Sequence, residues 1–306
     1  MTAQPDLTVR LGRLTLRNPV MVASGTFGYG PEYADLVDLS TLGAIVVKGI
    51  RAEPTAGNPT PRTVETASGL INAIGLPGPG VDGFVRDTMP FLRRQDVPVI
   101  VNIWGRTLEE YGDVARRFDA VEGVHALEIN VSCPNIKEGS KAFGTNLDSF
   151  RRVVDLVRAS TKLPVIPKLA PNVSDIASFA RAAEECGSDA VSLINSIPAM
   201  AVDIETRRPK LGNVTGGLTG PAIHPVAVKL VWEAAKAVRI PVIGMGGIRD
   251  AADAIEFILV GATAVAVGTA NFVEPGTAPA VVAGIREYLV RHQLPSIAAL
   301  RGTVLA

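Results

Sequence analysis

Eight short apolar runs recur along the chain: residues 19–24 (PVMVAS), 44–49 (AIVVKG), 97–103 (VPVIVNI), 126–131 (ALEINV), 164–169 (PVIPKL), 190–196 (AVSLINS), 241–246 (PVIGMG) and 264–269 (AVAVGT). Each has the length and content of a buried strand. Segments with helical periodicity lie between most of them. Residues 150–160 set Val153, Val154 and Val157 against arginines, and 176–186 and 251–259 repeat the pattern. Strand-like runs alternating with helices make a parallel sheet, and eight of them predict an α/β fold, a (β/α)8 TIM barrel. The competing architecture is an open doubly wound sheet, but no Gly-x-Gly-x-x-Gly opens a helix after the first strand. Residues 9–16 (VRLGRLTL) read as an N-terminal β-hairpin. The connections 51–84 and 198–224 are too long for simple turns. Long loops of this kind commonly cover a site, and these are expected over the C-terminal face of the barrel. A chain of 306 residues, 47% hydrophobic, is large enough for one such core, so residues 1–306 are expected to form a single domain.

The fourth run ends in a loop that carries a thiol. Leu127, Ile129 and Val131 alternate with Ala126, Glu128 and Asn130, the period of a strand with two different faces. The strand is expected to stop at Ser132-Cys133-Pro134-Asn135, because Pro134 has no N–H for a ladder. Cys133 and Cys186 are the two cysteines of the chain. One belongs to a loop and the other to a helical stretch, which favours two free thiols in a reducing compartment over a disulfide. Two thiols cannot hold an iron–sulfur cluster that needs four. Lys+Arg and Asp+Glu both total 30, which gives no electrostatic reason to expect nucleic acid or an anionic membrane as partner. The first ten residues carry no apolar stretch of a signal peptide, and the run 257–270 is interrupted by Gly261 and too short to span a bilayer. The chain is expected in the cytoplasm.

Active sites of such barrels lie at the C-terminal ends of the strands. This sequence puts unusual residues there: Lys48, Asn102, Asn130, Lys168, and Asn195 with Ser196. Steps of two pair Lys48 with Val46, Lys168 with Ile166 and Asn195 with Leu193, so each is expected to point into the barrel mouth. The last two strand ends carry Gly246-Gly247 and Gly268-Thr269. Glycines there let backbone N–H groups approach an anion, at the usual phosphate site of barrels. Asn72, Asn130, Asn135 and Asn195 each offer an acceptor and a donor on a short arm, as the edge of a pyrimidinedione requires. Solvated strand ends and turn asparagines are the plainer reading of each taken alone. His125 is expected at the wrong end of the barrel, and His224 and His292 receive no catalytic role.

These stretches also carry a family resemblance. Ala23-Ser24-Gly25-Thr26-Phe27-Gly28, Val47-Lys48-Gly49, Gly57-Asn58-Pro59, Pro61-Arg62, Asn72-Ala73-Ile74-Gly75-Leu76, Asn130-Val131-Ser132-Cys133-Pro134-Asn135, Lys168-Leu169-Ala170-Pro171-Asn172, residues 216–221 (GGLTGP), Gly246-Gly247 and Gly268-Thr269 occur in order over nearly the whole chain. With them the chain resembles the class 1 dihydroorotate dehydrogenases. The resemblance implies a barrel holding one FMN and oxidising dihydroorotate to orotate. Ser24, Lys48, Gly49, Asn102, Asn130, Lys168, Ile194, Gly220, Gly246, Gly247, Gly268 and Thr269 would hold FMN. Lys48, Asn72, Ala73, Ile74, Gly75, Leu76, Asn130, Asn195 and Ser196 would hold the substrate, with Asn135 a weaker candidate. Cys133 would be the catalytic base, and no metal is expected.

Class 2 relatives carry an N-terminal membrane-associating extension and a serine base, whereas this sequence begins close to its hairpin and has Cys133. Residues 24–30, 72–76, 205–209 and 213–221 are more similar to the NAD-linked class 1B branch than to the fumarate-using branch. That branch implies a partner subunit carrying FAD and a [2Fe–2S] cluster, and a homodimer of catalytic chains within a heterotetramer. Two stretches depart from the family pattern: Ile103-Trp104-Gly105 after Asn102, and Gly78 where the family has Asn. A flavin-dependent oxidoreductase of another dihydropyrimidine, and a flavin-binding barrel without turnover, remain alternatives at this level.

Overall fold

Each of the eight apolar runs folds as a strand. The computed structural model describes residues 4–131, 137–138 and 141–305. In chain order the strands are β1 (Val9–Leu11), β2 (Leu14–Leu16), β3 (Val20–Val22), β4 (Ala44–Ile50), β5 (Thr63–Thr66), β6 (Gly69–Asn72), β7 (Val99–Ile103), β8 (Ala126–Asn130), β9 (Lys137–Glu138), β10 (Lys141–Ala142), β11 (Val165–Lys168), β12 (Val191–Leu193), β13 (Ile197–Ala199), β14 (Val202–Asp203), β15 (Arg208–Pro209), β16 (Gly216–Thr219), β17 (Val242–Met245) and β18 (Ala264–Val267). The parallel strands β3, β4, β7, β8, β11, β12, β17 and β18 follow one another round a closed barrel, with β8 hydrogen-bonded to β11. Closure explains the near-continuous apolar runs. Barrel strands are buried on both faces, so Ala44, Ile45, Val46 and Val47 are all covered.

Helices cross over between the strands, and the sequence starts them deliberately. Thr107, Asn146, Asp175 and Asp250 each accept a backbone N–H from the first turn of the helix that follows, Leu108–Asp119, Leu147–Ser160, Ile176–Glu185 and Ala251–Leu259 respectively. Each such cap is worth about 1 kcal/mol. The apolar stripe of Leu147–Ser160, made of Phe150, Val153, Val154 and Val157, is fully buried against the barrel.

The two ends of the barrel are finished differently. At the N-terminal end, β1 and β2 form the expected hairpin, with Leu11 opposite Leu14. Leu11, Leu14 and Leu16 are buried, and the Arg13 guanidinium donates to the Lys162 carbonyl just ahead of β11. At the C-terminal end, the two long connections pair with each other. β13, β16, β6 and β5 make one antiparallel sheet, in which Asn72 lies opposite Gly217. The small hairpin of β14 and β15 extends from the second connection. Among the described residues, no helix is long and apolar enough to cross a membrane.

Candidate active site

A cavity of about 300 Å³ lies between the C-terminal strand ends and the antiparallel sheet. Ser24, Lys48, Gly49, Asn102, Asn130, Lys168, Ile194, Gly220, Gly246, Gly247, Gly268 and Thr269 all line it, and so do Asn72, Ile74, Leu76, Asn195 and Ser196. Ala73 and Gly75 do not. Ala73 turns the other way and packs with Ile71 and Leu211. Gly75 lies against Asn58, which donates from its backbone to the Ile74 carbonyl (3.1 Å) and from its side chain to the Ala73 carbonyl (3.1 Å). These two residues shape the 72–76 segment from behind.

The floor of the cavity is a polar network. Asn102 and Glu128 are opposite one another on β7 and β8, and the Asn102 amide donates to Glu128 Oε2 at 2.6 Å. Ser24 Oγ donates to the same oxygen (3.2 Å), and Ser192 Oγ to Glu128 Oε1 (2.8 Å). Lys168 Nζ donates to Ser24 Oγ at 3.3 Å and stands 3.8 Å from the carboxylate. Asn102 Oδ1 remains a buried acceptor with no partner among the described residues.

The corner formed by β17 and β18 is lined by backbone. Gly246 and Gly247 have φ of +139° and +71°, and a Cβ on Gly247 would sit 2.8 Å from both the Gly220 carbonyl and His224 Cβ. Only glycine fits so close an approach. His224, the first residue of the helix His224–Ala237, holds the loop from outside: its Nδ1 lies 3.1 Å from the Gly246 carbonyl. In a trans peptide the C=O and the next N–H point opposite ways. The Gly247 N–H is therefore turned away from His224.

Across the cavity stand the asparagines. Asn195 Nδ2 approaches Asn130 Oδ1 at 3.4 Å, its Oδ1 accepts from the Ser196 N–H (2.8 Å), and Asn72 Nδ2 donates to the Gly217 carbonyl (3.2 Å). Lys48 is half-buried here. Burial pushes its pKa below the usual lysine value; nearby Glu32 opposes that shift and Arg62 adds to it. Lys48 reaches the cavity as steps of two predict: Val46 pairs with Ile100, two residues before the inward-facing Asn102, although the pairing of β4 with β7 shifts register between Val47 and Ile50. Asn195 does not follow an inward Leu193: Ser192 is the residue that points inward, to Glu128, and Asn195 reaches the cavity after β12 has ended at Leu193.

The two departures from the family pattern meet around Gly49. The Trp104 indole edge lies 3.2 Å from where a Gly49 Cβ would be, beneath the Arg51 guanidinium (5.5 Å). The Tyr29 hydroxyl lies 2.8 Å from where a Gly78 Cβ would be, so the phenol fills the space that a side chain at 78 needs. Burial pushes the Tyr29 pKa up to about 12, which keeps it a neutral phenol.

A protein-family model described as dihydroorotate dehydrogenase matches residues 6–289. The chain belongs to the dihydroorotate dehydrogenase family. It is 52% identical, over 99% of both chains, to the "Dihydroorotate dehydrogenase B (NAD(+)), catalytic subunit" of Geotalea daltonii. It is 56% identical to the protein of that name from Desulforudis audaxviator, over 96% of both chains, and 53% identical to that of Desulforamulus reducens, over 97% of this chain and 98% of the relative. The base expected of this dihydroorotate dehydrogenase chain, Cys133, and the weaker candidate Asn135 lie outside the described residues. The strand before them ends at Asn130, whose carbonyl accepts from the Tyr111 hydroxyl at 2.8 Å. In the sequence Glu128 shows only as one member of the alternation in β8. Its position two residues before Asn130, on the same face, was the available signal. The support that His224 gives the glycine corner had no signal in sequence.

Proposed function

We propose that this chain oxidises (S)-dihydroorotate to orotate in pyrimidine biosynthesis, with FMN in the barrel mouth and NAD⁺ as terminal acceptor, reached through a separate electron-transfer subunit. One observation carries the reading. A polar floor, a glycine-lined corner and a cluster of asparagines meet in a single cavity, in a chain 52% identical over 99% of its length to a dihydroorotate dehydrogenase catalytic subunit.

The residues fit FMN. The Asn102 N–H is taken by Glu128, so its free carbonyl offers an acceptor suited to a ring N–H. The Gly246-Gly247 corner offers backbone donors suited to a phosphate. Bound FMN supplies the acceptor for the hydride that leaves C6 of the substrate. Lys168 sets positive charge at the floor, where electron uptake builds negative charge. Lys48 pairs with the substrate carboxylate, while Asn72, Asn130, Asn195 and Ser196 meet the alternating donors and acceptors of the ring edge. Cys133 takes the C5 proton. The hydride leaves towards the cofactor, so this base acts from the opposite face of the substrate ring. FAD and a [2Fe–2S] cluster are assigned to the partner subunit, in a cytoplasmic heterotetramer built on a dimer of catalytic chains.

The test is spectroscopic. The purified chain should be yellow, and anaerobic dihydroorotate should bleach it. NAD⁺ should restore the colour only after the partner subunit is added. A yellow protein that dihydroorotate leaves unbleached would sink the substrate. A colourless protein that FMN does not reconstitute would sink the cofactor.

A further inference from the structure

Glu128 is the most deeply placed charge beside the cavity, yet it does not line it. Its side chain is 3% exposed and that of Lys168 is 6% exposed. Burying a carboxylate is costly unless it is paired and hydrogen-bonded throughout. Here both oxygens are satisfied. Asn102 Nδ2 and Ser24 Oγ donate to Oε2, Ser192 Oγ donates to Oε1, and Lys168 Nζ stands 3.8 Å away. Every one of these neighbours donates, which suits an ionised, acceptor-only carboxylate. The contacts join β7, β8, β11, β12 and the loop after β3 at one point beneath the cavity floor.

We infer that Glu128 is a positioning residue that tunes the flavin, acting through Asn102 and Lys168. Two separate effects are involved. By taking the Asn102 N–H, Glu128 fixes which end of that amide faces the cavity and leaves the carbonyl as acceptor. By standing beside Lys168, it offsets part of the positive charge offered to the flavin, and so holds the flavin's reduction potential down. This inference rests on the flavin reading of the cavity.

Glu128→Gln keeps the size and removes the charge. The part of the Lys168 charge that Glu128 offsets is then restored, and reduced FMN should gain at least about tenfold in affinity relative to oxidised FMN. That ratio is a rise of about 30 mV in the midpoint potential of a two-electron couple. Oxidised FMN should bind about tenfold more weakly, because the Asn102 amide is no longer held one way round. Glu128→Asp keeps the charge but draws it back from Lys168 and Asn102, and should move both quantities in the same directions by less. Both are read without substrate: affinity from the quenching of FMN fluorescence by apoprotein, potential against a reference dye. A carboxylate that only braces the barrel would change melting temperature and leave the potential alone. An unchanged or lowered potential in Glu128→Gln overturns the inference. If that variant does not fold, an unchanged potential in Glu128→Asp does so. If the wild-type chain binds no FMN, the flavin reading itself has failed. If it does bind, and the variants match its potential, only the role of Glu128 has failed.

Discussion

Lys48 stands where burial and binding pull in opposite directions. Desolvation favours its neutral amine and lowers its pKa from 10.5; Glu32 resists this and Arg62 reinforces it. The protonated form is the one that pairs with a substrate carboxylate. As pH rises through the lowered pKa the charge is lost, so KM for dihydroorotate should rise at a pH below that expected of a free lysine. A KM that stays flat up to pH 10.5 would count against this role. Lys48→Met should cost about ten- to a hundredfold in kcat/KM, the loss of one charged hydrogen bond of about 1.5–3 kcal/mol. The two thiols should separate chemically. Burial, followed by its hydrogen bond to Asp155, pushes Cys186 up to about 12, and only a thiolate reacts readily. At pH 8 iodoacetamide should modify Cys133, with orotate protecting it, and spare Cys186. Equal labelling of the two in a peptide map would contradict the assignment. The lining side chains were legible because lysines and asparagines at strand ends are conspicuous in apolar surroundings. Glu128 was not, since a polar residue in an alternating strand reads as a solvent-facing one until the barrel closes around it.

At the scale of elements, the eight barrel strands could be read directly, because a strand buried on both faces writes itself as an apolar run. The sheet over the cavity could not. Asn72 and Gly217 are 145 residues apart, and Gly216-Gly217 carry no side chains to reveal a strand period. Glycine is nonetheless needed in this sheet, as it is in the β17–β18 corner, and the two positions should fail differently. A Cβ on Gly217 would come within 2.0 Å of Ser196 Oγ and 2.5 Å of Ser196 Cβ, so turning the hydroxyl is not enough and Ser196 itself must shift. Gly217→Ala should therefore displace Ser196 from the substrate side and raise KM for dihydroorotate with FMN still bound. A Cβ on Gly247 would meet the Gly220 carbonyl at 2.8 Å with φ at +71°, where neither backbone can yield cheaply. Gly247→Ala should cost about 1–3 kcal/mol of stability and weaken FMN binding. Fluorescence titration with FMN alongside thermal melts distinguishes the two. If Gly217→Ala lost FMN while Gly247→Ala kept it, the division of the cavity into a substrate side and a phosphate corner would be reversed.

For the molecule as a whole, the cavity is where all eight staves converge. Ser24 follows β3, Lys48 lies on β4, Asn102 lies on β7, Asn130 ends β8, Lys168 ends β11, Ile194 follows β12, Met245 ends β17 and Ala266 lies on β18, and each of them lines it. A ligand held by groups from every strand binds only the closed barrel, so its binding free energy adds to that of folding. The added stability is about 2.7 kcal/mol when free FMN stands at a hundred times its Kd, and grows with the logarithm of its concentration. Stripping the cofactor should therefore lower Tm by several degrees, and adding FMN back should restore it along that logarithmic line. Amide exchange should slow at the C-terminal ends of all eight barrel strands together, not in one patch of the wall. Protection confined to β17 and β18 would mean that the phosphate corner alone holds the cofactor, and that the polar floor around Asn102 and Lys168 contributes nothing to its affinity.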